Sequence, residues 1–394
     1  MALDTITLAW LLTDTGQQLL AVAARADLRE QAQLRELERL RQLASPAQAA
    51  AAYEVTVQRH RARTKFAHAD RLYFTRDALE QASHQRVAAH RARRYAGYAR
   101  VADLCCGAGG DALALAQLTS VAAVDLDPLR LALAQANAAA TGSSARMSFH
   151  QLDLLHAPPP AADAIFFDPG RRSGARRIFD ASAYQPPLAT VQRWRDATAL
   201  LGVKVAPGIM PDDYAALTPD EVEFVSLDGD LREATLWFGT DGAVRRRATV
   251  LAGETAVATL TLAHGALLPA SRLSEPLQYL YEPDGTILRT GLVTLLAEQL
   301  DAAQFDTTIA YLTSDVAQTT PLARRWTIRE WLPFSLKRLR ARVRSYNPGP
   351  VAVKKRGSPL DTDALAHQLS GKGDQPLTVV LTQLRGRPIA IICT

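Results

Sequence analysis

Apolar residues recur with helical spacing through most of the first hundred residues. In the segment RADLREQAQLRELERLRQL, leucines share one stripe of the predicted helix, namely Leu28, Leu34, Leu37 and Leu40. Ser45 followed by Pro46 is a typical helix start, and Thr75 is a second candidate N-cap. The pattern therefore predicts an N-terminal helical domain over residues 1–97.

Short apolar runs alternate with helical segments from Tyr98 onward. The runs typical of strands are ARVADLCCG, VAAVDLD, ARMSFHQLDLL, ADAIFFDPG and LGVKVAPG. Several are apolar almost throughout, as in strands that are covered on both faces. Strands that alternate with helices favour an α/β fold with a doubly wound parallel sheet. We place this domain over residues 98–255.

The pattern changes to strands and turns after Gly208. EVEFVSLDGDLREATLWFG predicts two strands, RRRATVLAG a third, EPDG a turn and TGLVTLLAEQLD a helix. The last segments predict a helix, a strand, a second helix and a hairpin, which together make a small α+β module. We therefore expect a connecting α+β region over residues 256–318 and a C-terminal domain over residues 319–394.

Positive charge is concentrated in two segments, although the formal net charge of the whole chain is only +5. Residues 58–100 contain eleven Lys or Arg against three acids, and residues 324–356 contain eleven against one. Basic segments on an otherwise acidic chain are the distribution expected for a polyanionic partner. Ordinary solvated helix faces are the alternative interpretation.

Cysteine and histidine usage indicates neither a disulfide framework nor a metal site. The three cysteines have no metal-ligand spacing, and the histidines of the basic N-terminal segment have no acidic partner at such spacing. The N-terminus has no basic region and only a short apolar run, so we expect no signal peptide and no membrane span. A cytoplasmic location fits these features best.

A glycine-rich loop, DLCCGAGGD, follows the first predicted strand. Gly107, Gly109 and Ala112 fit the loose dinucleotide pattern G-x-G-x-x-A, which makes NAD one candidate ligand. Asp103 and Asp111 flank the loop, and their carboxylates would repel a pyrophosphate. They suit the ammonium and sulfonium of S-adenosylmethionine instead. For Asp111, a helix cap is an equally good interpretation.

Two more acids follow predicted strands at the same edge of the sheet. Asp125 closes the second strand, where a carboxylate can accept both hydroxyls of a ribose, whereas Asp127 is a candidate helix cap. Asp153 follows the third strand and either meets an adenine amino group or is an ordinary loop residue. The candidate cofactor residues also include neighbours of these positions, namely Cys105, Leu126 and Leu154, and Asp168 after the fourth strand.

The fourth predicted strand ends in an unusual sequence, AIFFDPGRR. Asp168 at the strand tip faces the ligand crevice of such a sheet, and a cap or turn residue is the alternative. Arg171 or Arg172 can stack on a base or hold a phosphate, or simply lie on the surface. Lys204 lies inside the apolar run VKVAPG, and we expect it to pair with a carboxylate because an unpaired buried ammonium is costly.

Three segments together resemble a known family. DLCCGAGGDALALA, VAAVDLDPLRLALAQANA and ADAIFFDPGRR, in this order, resemble the class I S-adenosylmethionine-dependent methyltransferases. The nearest likeness is to bacterial members with a C-terminal THUMP-like domain, to which LKRLRARVRSYNPGPVAVKKRG is similar. The core also resembles trimethylguanosine synthase. The resemblance implies a Rossmann-like sheet with an N-terminal helical domain and a small C-terminal α+β module.

The resemblance also implies roles for single residues. It places Asp168 and Pro169 in the acceptor-side motif, where the carboxylate or a backbone carbonyl accepts a hydrogen bond from the target amine. It makes four residues line the cofactor: Gly107, Gly109, Asp125 and Asp153. Many amino-methyltransferases continue this motif with a second proline and an aromatic ring, whereas this chain has Gly170 and Arg171.

These features predict an enzyme that uses S-adenosylmethionine to methylate a nucleobase in RNA. Asp168, Pro169 and Arg171 are the candidate catalytic residues. An NAD-dependent oxidoreductase with the same glycine loop is one alternative, and an RNA-binding protein with a degenerate methyltransferase core is another. A protein or small-molecule acceptor is a further possibility.

Overall fold

A computed structural model describes residues 3–171, 184–357 and 359–394. The chain forms two units by internal packing: residues 1–220 with 235–240, and residues 221–234 with 241–394. The division into four domains stays a prediction. Among the described helices, none combines the length and the apolar character that crossing a membrane requires.

Helices occupy the first part of the first unit. Five of them begin at side chains that accept hydrogen bonds from first-turn amides, and these caps are Asp4, Thr13, Ser45, Thr75 and His84. The structure thus confirms Ser45 and Thr75 as N-caps. The helices are α1 Thr5–Leu11, α2 Asp14–Ala23, α3 Gln33–Arg41, α4 Pro46–Ala62, α5 Arg76–Gln81 and α6 Gln85–Ala92.

Two details of this region differ from the sequence prediction. Leu34 is 77% exposed whereas Leu40 is fully buried. At about 100° a residue, six positions rotate the side chain by about 600°, which turns Leu34 roughly 120° away from Leu40. The single helix expected after Thr75 is interrupted between Gln81 and Gln85. This interruption brings Ser83 to the site described below.

A parallel sheet follows the helices and confirms the predicted α/β, Rossmann-like fold class. Five strands of this sheet lie side by side in the order β7-β4-β1-β2-β3, and each neighbouring pair among them is parallel. The elements of this region are β1 Arg100–Leu104, α7 Gly110–Leu115, β2 Ser120–Asp125, α8 Pro128–Thr141, β3 Met147–Gln151, β4 Ala164–Phe167, β5 Gly170–Arg171, β6 Tyr184–Gln185, β7 Leu200–Val205 and α9 Pro211–Tyr214.

The register of the parallel strands brings three acids to one edge. Leu104 of β1 pairs with Val124 of β2 and with Phe167 of β4. Asp125 and Asp168 therefore follow these strands at the same level, and Asp103 lies one residue earlier on the strand between them. Ligands bind at this carboxyl edge in open α/β sheets, beside the point where the strand order reverses.

The second unit contains further strands and a C-terminal α+β module. Its first strand is β8 Glu221–Leu227. The strand β10 Val244–Ala252 pairs in parallel with β8 and antiparallel with β11 Ala256–Ala263. The remaining elements of this first part are β9 Asp230–Phe238, whose last residues belong to the first unit, β12 Tyr279–Pro283, α10 Gly285–Thr290, α11 Val293–Gln299, β13 Ala303–Asp306 and β14 Ile309–Ser314.

The C-terminal segments extend a seven-stranded sheet with the order β13-β14-β12-β15-β18-β17-β16. Helix, strand, helix and hairpin follow one another as predicted. They are preceded by a long strand that the sequence analysis missed, β15. The bounds are β15 Ala323–Pro333, α12 Leu336–Ser345, β16 Pro348–Lys355, α13 Thr362–Leu369, β17 Gln375–Leu384 and β18 Arg387–Cys393.

The segment EPDG is not the predicted turn. Its first two residues end β12, and Asp284 then caps α10 by accepting a hydrogen bond from the Thr286 amide at 2.8 Å. Aspartate suits both a turn and an N-cap, because its short side chain reaches amides two or three residues ahead. The helical residues after Gly285 decide between the two structures.

Candidate active site

The glycine loop connects β1 to α7 through backbone conformations that favour glycine. Cys105, Gly107 and Gly109 have φ angles of 66°, 55° and 84°. A Cβ atom added to Gly109 would lie 3.1 Å from the Cβ of Ala134, so this glycine permits α7 and α8 to pack closely. A Cβ added to Gly107 would meet no other atom within 4 Å. The loop therefore leaves open space at Gly107.

A buried asparagine in α8 fixes this loop from behind. The side-chain amide of Asn137 donates to the carbonyl of Ala108 at 2.9 Å and to the carbonyl of Tyr73 at 3.0 Å. Its oxygen accepts from the Tyr73 amide at 2.7 Å. Asn137 thus joins the glycine loop to the N-terminal helical segment, which the sequence analysis did not foresee.

Asp125 at the end of β2 stabilises the other side of the loop. One carboxylate oxygen accepts the amide of Gly107 at 2.8 Å, and the other accepts the amide of Asp127 at 2.9 Å. Each oxygen retains a lone pair for a ribose hydroxyl. Burial raises the pKa of Asp125, and the two amide donors oppose this rise. Asp127 is a helix cap, since it accepts the amide of Leu129 at 2.8 Å.

Asp103 on β1 is a buried carboxylate that no described residue hydrogen-bonds. Its side chain has an exposed fraction of 0%, and both carboxylate oxygens lack a partner. Burial raises the pKa of Asp103 well above its usual range, and the charges of Asp111 and Asp168 raise it further. Since an isolated buried carboxylate is costly, Asp103 favours a positively charged group nearby.

Asp111 in the first turn of α7 is paired within the protein. It forms a buried ion pair with Arg91 of α6, and it accepts a hydrogen bond from the Ser83 hydroxyl at 3.0 Å. Burial raises the pKa of Asp111, but the positive charges of Arg91 and Lys204 outweigh burial and bring it below the usual value. The N-cap position belongs to Gly109, so Asp111 is not the cap.

Asp168 follows β4 directly and pairs with Lys204 of β7. The ammonium of Lys204 lies 2.7 Å from one carboxylate oxygen of Asp168, Oδ2, and 3.0 Å from the Ser83 hydroxyl. The predicted pairing of Lys204 with a carboxylate is therefore confirmed. Burial raises the pKa of Asp168, and the Lys204 ammonium opposes the rise. No other described residue hydrogen-bonds to the carboxylate of Asp168.

Pro169 and the residues behind it continue the acceptor-side motif. Pro169 is buried, and Gly170–Arg171 forms the short strand β5, which pairs antiparallel with β6. Arg172 lies outside the described residues. The catalytic roles of Pro169 and Arg171 stay predictions.

The side chain of Asp153, after β3, is hydrogen-bonded within its own segment. The carboxylate of Asp153 accepts the Leu155 amide at 2.9 Å, and its second oxygen lies 2.9 Å from His156 Nδ1. Leu154 is buried, whereas Leu126 is 61% exposed directly after Asp125. Cys105 is half-buried, and burial raises the pKa of its thiol. The cofactor contacts of these residues stay predictions.

Family profiles match three parts of the chain. A profile described as "Methyltransferase domain" matches residues 101–168, and one described as "THUMP domain-like" matches residues 323–394. A third, "Domain of unknown function (DUF8688)", matches residues 4–62. An uncharacterized S-adenosylmethionine-dependent methyltransferase, found in two strains of Mycobacterium tuberculosis, is 38% identical over 320 residues. The match covers 79% of this chain and 84% of the relative.

This chain belongs to the class I S-adenosylmethionine-dependent methyltransferases. A crystal structure of a protein assigned as a methyltransferase from Porphyromonas gingivalis W83 shares the fold over the whole length, with a TM-score of 0.78. That likeness covers 100% of this chain and 99% of the other, at 17% sequence identity. The NAD-dependent oxidoreductase is therefore set aside.

S-adenosylmethionine is the cofactor of this methyltransferase, and the geometry of the loop fits it. Gly107 leaves the space in which a ligand can approach the backbone, and Asp125 stands beside that space with lone pairs for a ribose. The orphaned Asp103 carboxyl is a buried group whose ionised form a cationic cofactor would favour. Within the described parts of the chain, no group of His, Cys, Asp or Glu is placed to hold a metal ion.

The methyltransferase site also contains residues that sequence reasoning missed. Ser83 and Arg91 come from the segment before β1, and Asn137 comes from α8. Arg91 additionally stacks on the ring of Phe166, with its guanidinium carbon 4.4 Å from the ring centroid. The concentration of basic residues over 58–100 was visible in the sequence, but nothing local distinguishes Arg91 from its neighbours.

Proposed function

We propose that this methyltransferase modifies a nucleobase in RNA, and that Asp168 and Pro169 position the acceptor. The observation that carries the proposal is the state of Asp168. Its carboxylate stands at the tip of β4 beside the glycine loop, with one oxygen held by Lys204 and no described partner for the other. A carboxylate oxygen in this place can accept a hydrogen bond from an amino group of a base.

The chemistry that these residues perform is mainly positioning. When bound, S-adenosylmethionine supplies an electrophilic methyl group on its sulfonium. Asp168 would orient the acceptor nitrogen, and the buried Pro169 would restrict the turn that carries it. A displacement of about 1 Å from the reactive geometry can cost roughly 100-fold in rate, so small supports of this kind matter.

The RNA part of the proposal is supported by the C-terminal module. Helix α12 buries Leu339 and Val343, while Lys337, Arg338 and Arg344 are exposed. Among the described residues none forms an ion pair with these three cations, so their charge is available to a polyanion. The THUMP-like match over residues 323–394 includes this helix.

The decisive experiment measures transfer of a labelled methyl group into fractionated cellular RNA. We expect incorporation with the full-length protein and a loss of at least about 100-fold for Asp168→Ala. Asp196→Ala is the matched control, because the side chain of Asp196 is 93% exposed. RNA binding without any methyl transfer would instead support the RNA-binding protein with a degenerate core.

A second experiment tests the RNA partner through its salt dependence. Replacing Lys337, Arg338 and Arg344 together by Ala should weaken RNA binding and flatten its salt dependence. For single strands the slope of log K against log salt should fall by about 0.7 for each phosphate that the variant no longer neutralises. Lys372→Ala, which removes an exposed lysine elsewhere in the module, is the control. An unchanged slope would exclude α12 from the RNA-binding surface.

A further inference from the structure

A lysine inside an otherwise apolar strand needs a physical reason. In β7, Lys204 lies between residues that are fully or almost fully buried, and its own side chain is only 16% exposed. An apolar residue would fill this place at lower cost, because taking an ammonium out of water is unfavourable even when it is paired. The charge of Lys204 must therefore serve something beyond packing.

The contacts of Lys204 connect two acids of the site. Its ammonium donates to Asp168 Oδ2 at 2.7 Å and to the Ser83 hydroxyl at 3.0 Å. The Ser83 hydroxyl in turn donates to Asp111 at 3.0 Å, and Asp111 is paired with Arg91. Ser83, in the α5–α6 connection, thus helps to fix the ammonium of Lys204, and this ammonium in turn binds Asp168.

The hydrogen bond from Lys204 makes the two carboxylate oxygens of Asp168 different. Oδ2 is occupied by the ammonium, whereas no described residue donates to Oδ1. The side chain of Asp168 is 27% exposed, so the carboxylate is reachable while its partner Lys204 lies deeper. This arrangement presents one defined acceptor atom rather than a carboxylate that is free to rotate.

We propose that Lys204 is a positioning residue for methyl transfer, which holds Oδ2 of Asp168 so that Oδ1 accepts the N–H of the acceptor. The inference rests on the proposed function in that it takes Asp168 as the group that contacts the acceptor. It adds that the strand-tip aspartate works only as an oriented anion, and that the orientation comes from β7 and, through Ser83, from the N-terminal segment.

The charges around Asp168 predict how its protonation depends on Lys204. Burial and the charge of Asp111 on α7 favour a protonated Asp168, while Lys204 on β7 and Arg91 on α6 favour the anion. The charges of Asp168 and Asp103 on β1 also repel each other. Removing the nearest cation by Lys204→Met therefore raises the pKa of Asp168. Because the anion is the competent form, the acidic limb of the rate profile must move to higher pH.

The test compares Lys204→Met, Lys204→Arg and Ser83→Ala with the wild-type protein. For methyl transfer into RNA we expect Lys204→Met to lower kcat at pH 7 by at least 50-fold and to shift the acidic limb upward by more than one pH unit. The Kd for S-adenosylmethionine should stay within about threefold. Lys204→Arg should recover at least tenfold of kcat, and Ser83→Ala should lose only a few-fold. Lys372→Met is the surface control.

A substrate-independent measurement separates this inference from the proposed function. The side-chain carboxyl of Asp168 is titrated by carbon-13 NMR in the full-length protein, with Asp168→Asn used to assign the signal. A higher pKa of Asp168 in Lys204→Met than in wild type supports the inference even if no RNA is methylated. The absence of RNA methylation would contradict only the proposed RNA substrate. An unchanged pKa, or a Lys204→Met rate profile that coincides with wild type, overturns it. If Lys204→Met does not fold, the same titration in Lys204→Arg and Ser83→Ala decides.

Discussion

Two neighbouring strands each have an aspartate at or next to the carboxyl end, yet the surroundings of these two aspartates are opposite. Asp103 of β1 is completely buried and has no described hydrogen-bond partner. Asp168, which follows the adjacent strand β4, is partly exposed and receives the Lys204 ammonium at 2.7 Å. Burial raises the pKa of both carboxyls, but only Asp168 has a hydrogen-bonded cation to oppose it.

The different surroundings of Asp103 and Asp168 indicate where the protein itself supplies a cation to its buried acids. On the acceptor side the protein provides its own cation, Lys204, which favours the anionic form of Asp168. On the cofactor side no described cation hydrogen-bonds to Asp103, and a positively charged cofactor can fill that role. We therefore propose that Asp103 is a determinant of cofactor binding and Asp168 a determinant of methyl transfer.

The largest effect should follow from Asp168→Asn. Asparagine keeps the size of the side chain but removes the charge and offers an amide that can donate instead of accept. We expect kcat to fall by about 100- to 1,000-fold, because the acceptor is no longer held in line. Calorimetry should show S-adenosylmethionine affinity within about threefold of wild type. If S-adenosylmethionine affinity fell as much as kcat, Asp168 would act in cofactor binding as well, and the proposed roles of the two aspartates would be wrong.

Asp103→Asn should show the reverse pattern, with a somewhat smaller effect. The lost attraction for a cationic cofactor is about 2 kcal/mol at an effective dielectric constant near 20, which weakens binding roughly 30-fold. The ligand-free variant should nevertheless melt at a higher temperature than wild type, because it no longer buries an unpaired carboxyl. Unaltered affinity together with a lower melting temperature would contradict this role of Asp103.

The stability gain of Asp103→Asn must depend on pH. Folding raises the pKa of Asp103 above its ordinary value near 3.8, so the wild-type carboxyl favours folding below that value and loses this contribution as pH rises through the folded pKa. The stability difference between variant and wild type should therefore be largest at high pH and shrink in acid. Thermal unfolding across a pH series measures it directly.

Much of the cofactor side could be predicted from the sequence, because it follows from strand ends. The apolar runs locate β1, β2 and β4, and the residues that end parallel strands meet at one edge whatever the rest of the chain does. Asp103, Asp125 and Asp168 were found in this way. The sequence could not say which of the three would be left without a partner.

The partners could not be predicted, because they come from distant parts of the chain. Ser83 and Arg91 reach the site only because α5 ends at Gln81 and α6 starts at Gln85, a break that the helical pattern does not show. Lys204 was noticeable as a charge inside an apolar strand, but the identity of its carboxylate depended on the order β7-β4-β1. Strands β11 to β15 were not predicted from the sequence.

Proton release should accompany cofactor binding, and it sharpens the contrast between the two acids. Free Asp103 has a raised pKa, and a bound cation favours its ionised form, so binding expels a proton wherever the free carboxyl is still protonated. The affinity for S-adenosylmethionine should thus decline as pH falls. Calorimetry in two buffers of different ionisation enthalpy counts the protons, and Asp103→Asn should abolish most of the signal. Equal release in that variant would assign the proton to another group.

The smallest effects concern the glycine loop that follows β1. Gly107→Ala and Gly109→Ala both place a side chain at a positive φ, which costs about 1 kcal/mol in each case. Only at Gly109 does the new Cβ also press on α8, 3.1 Å from the Cβ of Ala134, so this variant should be less stable than Gly107→Ala by roughly another 1 kcal/mol.

Cofactor affinity should rank the two glycine variants in the opposite order. The Cβ of Gly107→Ala enters the open space beside Asp125, which is the space that a bound cofactor would fill. Gly107→Ala should lose less stability than Gly109→Ala, yet it should weaken S-adenosylmethionine binding several-fold more than Gly109→Ala does. Thermal unfolding and calorimetry on the same two proteins test both rankings. If Gly109→Ala lost more in both, the open space at Gly107 would not belong to the cofactor.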